Sequence, residues 1–369
     1  MRSLGLYLHI PFCRAKCLYC DFYSLPHAEE RMDAYASALT RQLAAWSVRA
    51  ADCTADTVYF GGGTPSCLGP DRLCRLLDAV LAHYRVAPDA EITLEANPDS
   101  AQEFSALRRL RSAGFNRLSL GMQSADDAEL ARIGRIHTHT QTVRAVENAR
   151  AAGFGELSLD LIYGLPEQTV ARWQANLAAA VSLAPEHLSC YGLKVEEGTP
   201  LFAQRGRFTL PDDDAQADMY LYAADALARH GYGQYEISNF CRPGHESRHN
   251  SRYWALSEYL GFGPGAHSDF GGERFALARD LDAYLAGRSV CSERSAPSPR
   301  ERETERVMLA LRTVRGLAAS SLPPAAVQVL EECRAHGLAV RRGESYALTP
   351  RGFLVSNSVI VRLLESMGL

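Results

Sequence analysis

The first two-thirds of the chain alternates short apolar runs with longer stretches whose apolar residues recur at helical spacing. The short runs are residues 4–10, 57–60, 91–96, 117–120, 156–162 and 187–193. Each is rich in β-branched or aromatic residues, or closes on glycine or proline, which predicts strands. Residues 31–49, 71–83, 102–113, 141–152 and 172–182 carry the helical period between them. Repeated strand–helix units predict an α/β fold with a parallel sheet and helices outside. Six units suit a partial, open (β/α)6 barrel of the TIM type. A doubly wound sheet has the same periodicity and stays open as an alternative.

Residues 212–231 predict another helix. Residues 235–268, rich in Gly, Asn, His and aromatics, are expected to wrap the barrel mouth. A Ser/Pro-rich break at 292–299 reads as a linker. Beyond it come helical patterns at 300–312, 325–336 and 353–364, with a hairpin at 338–341 and 345–348. Helices plus a hairpin predict a small α+β domain like a winged helix. The expected division is therefore 1–270 for the barrel, with 235–270 over its mouth, 271–299 for a linker, and 300–369 for the C-terminal domain. A winged helix can bind DNA. With 39 basic against 43 acidic residues and a net charge of −4, docking or capping is the favoured role and nucleic acid is not an expected partner.

Hydrophobic content of 47% with 22% charged residues is that of a soluble globular protein. No apolar run approaches a membrane span, so no stable membrane insertion is expected. Residues 1–10 lack the length and cleavage site of a signal peptide. The ten cysteines therefore read as reduced thiols of a cytoplasmic protein rather than as disulfides.

Cys13, Cys17 and Cys20 stand apart from the other seven. Their Cys-x3-Cys-x2-Cys spacing can hold three irons of a 4Fe-4S cluster and leave the fourth iron open for chemistry. A structural zinc site or three unrelated buried thiols are the plainer readings, but zinc sites usually pair CxxC units and no second pair exists here. Gly61-Gly62-Gly63-Thr64-Pro65 follows the second strand. Such a turn lets the backbone approach a ligand closely, or is simply a tight connection. Glu95, Gln123 and Asp160 lie in or just after the third to fifth strands, where barrels place reactive groups. His249-Asn250-Ser251-Arg252-Tyr253-Trp254 puts an imidazole beside two large aromatics, a combination able to ligate and sandwich a porphyrin. A packed surface loop is the alternative, and His245 and His267 are neighbouring candidates.

Together these residues resemble the radical SAM proteins related to oxygen-independent coproporphyrinogen III oxidase, over nearly the whole chain. The resemblance implies a radical SAM barrel holding a 4Fe-4S cluster and S-adenosylmethionine (SAM). Family contacts to the cluster-bound SAM map onto Tyr7, Gly62 and Glu95. Those to a second SAM seen in the oxidase map onto Tyr19, Gly63, Thr64, Gln123, Arg135 and Asp160, with Lys194 near a further contact. The chain departs from the oxidase in three ways. Phe22 stands where the oxidase has a fourth cysteine, Cys13 lies almost at the start where the oxidase carries an extension, and the run 249–254 matches an HNxxYW signature. All three are similar to the HemW family of haem chaperones. That resemblance implies haem binding, with His249 as the haem contact, delivery to an acceptor protein, and an electron donor for the cluster. The alternatives are oxidative decarboxylation of coproporphyrinogen and a haem-modifying methyltransferase.

Overall fold

The structure, a computed structural model, describes residues 1–288 and 290–369. Six parallel strands form its centre: β1 (Arg2–Ile10), β2 (Cys53–Gly62), β3 (Val86–Ala96), β4 (Arg117–Gln123), β5 (Glu156–Tyr163) and β6 (His187–Gly192). They pair side by side in chain order. The connecting helices Met32–Ser47, Pro70–His83, Phe104–Ala113, His139–Ala151 and Val170–Ser182 lie where the periodicity predicts them. Pro70–His83 shows why such a segment is helical. Its proline sits at the start, where no N–H is needed. Leu73, Leu76, Leu77 and Val80 then fall on one buried stripe. Each buried leucine contributes on the order of 2 kcal/mol. Thr138 and Gln141 close a reciprocal cap at the start of His139–Ala151.

Neighbouring helices pack against one another along one face of the sheet. The other face curls around polar side chains. Ser119 of β4 and Ser189 of β6 both donate to Asp160 of β5, at 3.1 and 2.7 Å. A doubly wound sheet would carry helices on both faces. The fold is the partial barrel.

Residues 235–270 correct the expectation of a wrap over the mouth. Ile237 and Ser238 do reach the mouth. The chain then descends as Asn239–Cys241, antiparallel to β6, and crosses the opposite end of the barrel as the helix Arg248–Trp254. It climbs back as Tyr259–Phe262, parallel to β1. That last strand is only four residues long and borders a glycine-rich turn, so it has almost no period of its own to read. Residues 271–299, expected as a linker, hold the antiparallel strands Glu273–Leu277 and Cys291–Ser295. All five residues of Cys291–Ser295 are exposed, and a polar edge strand has the composition of a loop.

The C-terminal segment packs the helices Pro299–Ala310, Pro324–Ala335 and Ser356–Ser366 with three short strands. Val307, Leu330, Tyr346, Phe353 and Leu363 belong to its own apolar cluster, which also takes in Tyr220 from the last barrel helix. The helix expected over 353–364 breaks at Val355, which leaves helical backbone angles and separates Pro350–Leu354 from Ser356–Ser366.

Candidate cofactor site

The C-terminal ends of the strands open onto a cavity of about 950 Å³. Cys13, Cys17, Cys20, Tyr19, Gly62, Gly63, Thr64, Glu95, Gln123, Arg135 and Asp160 all line it. Tyr7 and His249 do not.

The cysteine loop is pinned at both ends. Phe12–Cys13 pairs with Leu25–Pro26, and the N–H of Leu18 donates to the carbonyl of Ile133 at 3.0 Å. The Cys13 Sγ lies 3.5 Å from Thr64 Oγ1, and Arg135 Nη1 donates to Cys17 Sγ at 3.5 Å. All three thiols are free and half-buried. Burial pushes Cys13 and Cys20 up from the ordinary thiol range. Among the described residues, no three His, Cys, Asp or Glu side chains converge as they would on one ion.

The glycine turn is locked onto this loop. Gly63 N–H donates to Ile10 O at 2.8 Å and Thr64 N–H to Phe12 O at 2.7 Å. A Cβ at Gly63 would stand 2.8 Å from Phe12 O and 3.1 Å from Cys13 Sγ, so only glycine permits the approach. Gly62 has φ +114°, which side chains avoid, and a Cβ there would meet the His9 ring at 2.7 Å.

Glu95 ends β3 and accepts from Tyr59 Oη at 2.6 Å and from Gly62 N–H at 3.2 Å. Burial pushes its carboxyl up to about 7, against the lowering effect of the Tyr59 hydroxyl. Burial also raises Asp160, against the serine hydroxyls that donate to it. The groups that donate hydrogen bonds to both carboxyls are neutral, and the cation acting on Asp160, Arg117, does so at a distance, so neither acid is tied up in an ion pair. Arg135 supplies the opposite sign. Its Nη2 donates to Asn97 Oδ1 at 2.7 Å and to Gly121 O. Gln123 adopts φ +62°, a strained backbone for a residue other than glycine, at the point where β4 turns into the cavity.

Another part of the lining is apolar. Tyr163, Tyr220, Ile237 and Phe353 belong to or pack against the C-terminal cluster, and Leu193, Leu354, Lys194 and Glu196 also line the cavity. Sequence reasoning missed Asn97, which bridges Thr64 Oγ1 at 3.0 Å and Arg135. Its place two residues past Glu95, at the end of a strand, was the available signal. Phe353 and Leu354 carried none, because they reach the cavity from the other end of the sequence.

His249 corrects the expectation of a ligand open to the porphyrin. It is 1% exposed at the closed end of the barrel. Its Nδ1 is 2.8 Å from Thr57 Oγ1 and its Nε2 is 2.9 Å from Tyr253 Oη. Burial pushes its pKa down to about 3, so the ring is neutral with both nitrogens occupied. Tyr7, also outside the cavity, lies beside both His249 and Tyr59 in the barrel interior, at 6.3 and 6.1 Å between ring centroids.

Residues 7–178 match the model of the Radical SAM superfamily. The "Heme chaperone HemW" of Mycobacterium tuberculosis (strain ATCC 25618 / H37Rv) is 39% identical, over 98% of this chain and 95% of its own. That of Bacillus subtilis (strain 168) is 34% identical, over 98% and 99%. Among solved structures, coproporphyrinogen III oxidase (HemN) from Escherichia coli superposes with a TM-score of 0.85 at 24% identity, over 98% of this chain and 90% of that one. The last comparison shows a shared fold through the C-terminal segment. The 39% and 34% identity to the two chaperones over 98% of the chain, with the matched superfamily model, establishes that the chain belongs to the radical SAM superfamily and, within it, to the HemW family.

Proposed function

We propose that the protein is a haem chaperone, which binds haem in the 950 Å³ cavity and passes it to an acceptor protein. The observation that carries this reading is the cavity's lining, part polar and part apolar. Thiols, acids and a guanidinium make up part of it, and aromatic and aliphatic side chains, including Phe353 and Leu354 of the C-terminal segment, another part. Flat apolar ligands are held by such walls, with a few polar groups fixing orientation. Lys194 at the edge suits a propionate. Phe22, 63% exposed, lies on the same lining where an oxidase would place a further cysteine. The names of the near full-length relatives support the same reading.

The radical SAM family implies a 4Fe-4S cluster and SAM, and the donor set fits both. Cys13, Cys17 and Cys20 would hold the cluster. Gly62 and Glu95 would take the methionyl ammonium, the first through its backbone and the second through the carboxylate. Tyr19, Gly63, Thr64, Gln123, Arg135 and Asp160 form the adjoining polar wall, where a second SAM would lie. Bound there, the pair supplies one-electron reduction and a reducible sulfonium. Residues 1–270 act in this reading as the barrel and 300–369 as its cap. An external reductant serves as electron donor, and the reducing cytoplasm is the compartment in which these thiols persist.

The test is anaerobic. Cluster-loaded protein is titrated with haem and, in parallel, incubated with coproporphyrinogen III, SAM and reductant. A saturable Soret shift with no decarboxylated product is expected. Steady product formation that depends on SAM and reductant would replace the chaperone with an oxidase.

A further inference from the structure

The helix Arg248–Trp254 carries the HNxxYW run and joins the two edges of the open barrel at its closed end, leaving Asn239–Cys241 beside β6 and entering Tyr259–Phe262 beside β1. Its position is heavily fixed. The N–H groups of Arg248 and His249 each donate to the Glu91 carboxylate at 2.9 Å. Arg252 pairs with Asp56 and donates to Ser3 Oγ at 2.9 Å. At Gly5 a Cβ would stand 2.8 Å from Arg252, so the helix lies directly on β1. His249 is thereby driven upward into the barrel and held at both nitrogens by hydroxyls.

Two columns rise from that ring. In one, His249 stacks on Tyr59, with centroids 5.0 Å apart and planes 25° apart, and the Tyr59 hydroxyl donates to Glu95 at 2.6 Å. In the other, Tyr7 lies 6.3 Å from His249, its hydroxyl is 3.1 Å from His9 Nδ1, and the His9 ring fills the space where Gly62 lacks a side chain. The columns meet again where Gly62 N–H donates to Glu95 at 3.2 Å. His249 touches nothing in the cavity, yet both routes out of its ring end on the same carboxylate and glycine.

We propose that His249 is a positioning residue for SAM: it sets the Tyr59 and Tyr7 rings, and through them Glu95 and Gly62, so that the HNxxYW helix tunes SAM affinity from the closed end of the barrel. The proposal rests on the assignment of Glu95 to the methionyl ammonium and is independent of where haem binds. Outer partners that orient a ligating group typically change affinity by roughly 10–100-fold when removed.

Cluster-reconstituted His249→Phe, which keeps a flat ring but loses both hydrogen bonds, is compared with wild type by anaerobic equilibrium dialysis of SAM. His249→Ala serves as the second variant. The expected result is full cluster absorbance with SAM affinity weakened by roughly tenfold. Tyr59→Phe should weaken it similarly, and the double variant no further, because both changes act through one contact; independent sites would multiply. Unchanged SAM affinity, multiplied losses, or loss of the cluster in both His249 variants would overturn the proposal. Glu95→Ala in the same assay separates the premises. If it binds SAM normally, the Glu95 assignment fails. If it loses SAM while His249→Phe does not, only the positioning role fails.

Discussion

The two ends of the barrel are built from similar residue types put to opposite use. At the closed end the polar groups largely answer one another: Thr57 and Tyr253 hold His249, Ser158 and Tyr235 hold His187 at 2.8 Å each, and Arg117 lies between Glu91 and Glu156. At the mouth Glu95, Asp160 and Arg135 are held by a few neutral donors and acceptors, and point onto a cavity. Burying a polar group is costly unless its bonds are made. An end that makes them internally is structure. An end that leaves its acids outside any ion pair is prepared for a ligand, and its strained Gln123 backbone falls at the same place. The difference teaches that an imidazole beside aromatics carries no function until one knows which end of the strands it faces.

The sharpest test at the mouth is Cys17→Ser. A hydroxyl is a poor substitute for a thiolate toward iron, so iron–sulfur absorbance and SAM binding should both vanish. A full cluster spectrum in this variant would break the assignment of the mouth. Next comes the closed end. Arg117 is 3% exposed and lies 3.9 Å from Glu91 and 3.5 Å from Glu156. Arg117→Ala strands a buried carboxylate and should cost about 3–5 kcal/mol in urea unfolding. A loss below about 1 kcal/mol would show that this network is not what holds the floor. Glu95→Gln should do the reverse: SAM affinity falls by roughly tenfold, one charged contact's worth, while the unfolding midpoint holds or rises, since the carboxyl it replaces is held up to about 7 by burial. A large drop in stability would move Glu95 from the ligand side of the comparison to the structural side.

The barrel was legible because strands and helices of a parallel α/β unit differ in period, and each strand found in the sequence overlaps the observed one. The site was legible where chemistry is local, as in the cysteine spacing and the glycine turn. It was opaque where the chain returns from afar. Phe353 and Leu354 reach the cavity from a helix that the sequence pattern runs together with the next one. Tyr59 sits two residues before the glycine turn, and only the pairing register, with Tyr59 opposite Thr93, brings it to Glu95 on the neighbouring strand. The run 249–254 sets a histidine against aromatics at the closed end rather than the mouth, a place hidden in the sequence because Tyr259–Phe262 leaves too short a pattern to show that the chain climbs back from there.

A pH series separates the ends by protons. His249 is held down to about 3 in the folded protein against an ordinary 6.5. Between those values the unfolded chain binds a proton that the folded one refuses. The contribution of the neutral ring is therefore complete above pH 6.5 and declines as pH falls, by about 1.4 kcal/mol per unit. Glu95 and Glu236, both raised by burial to about 7, act in the opposite sense between 4.5 and 7, so the whole protein's profile mixes the two. The difference between wild type and His249→Phe removes that mixture, since both share the carboxyls. Urea midpoints of the pair, measured from pH 7 to pH 4.5, should converge as pH falls, because only wild type loses the histidine contribution. A pH-independent gap would mean that His249 takes up a proton in the folded state as readily as in the unfolded one, and the closed end would then be open to water after all.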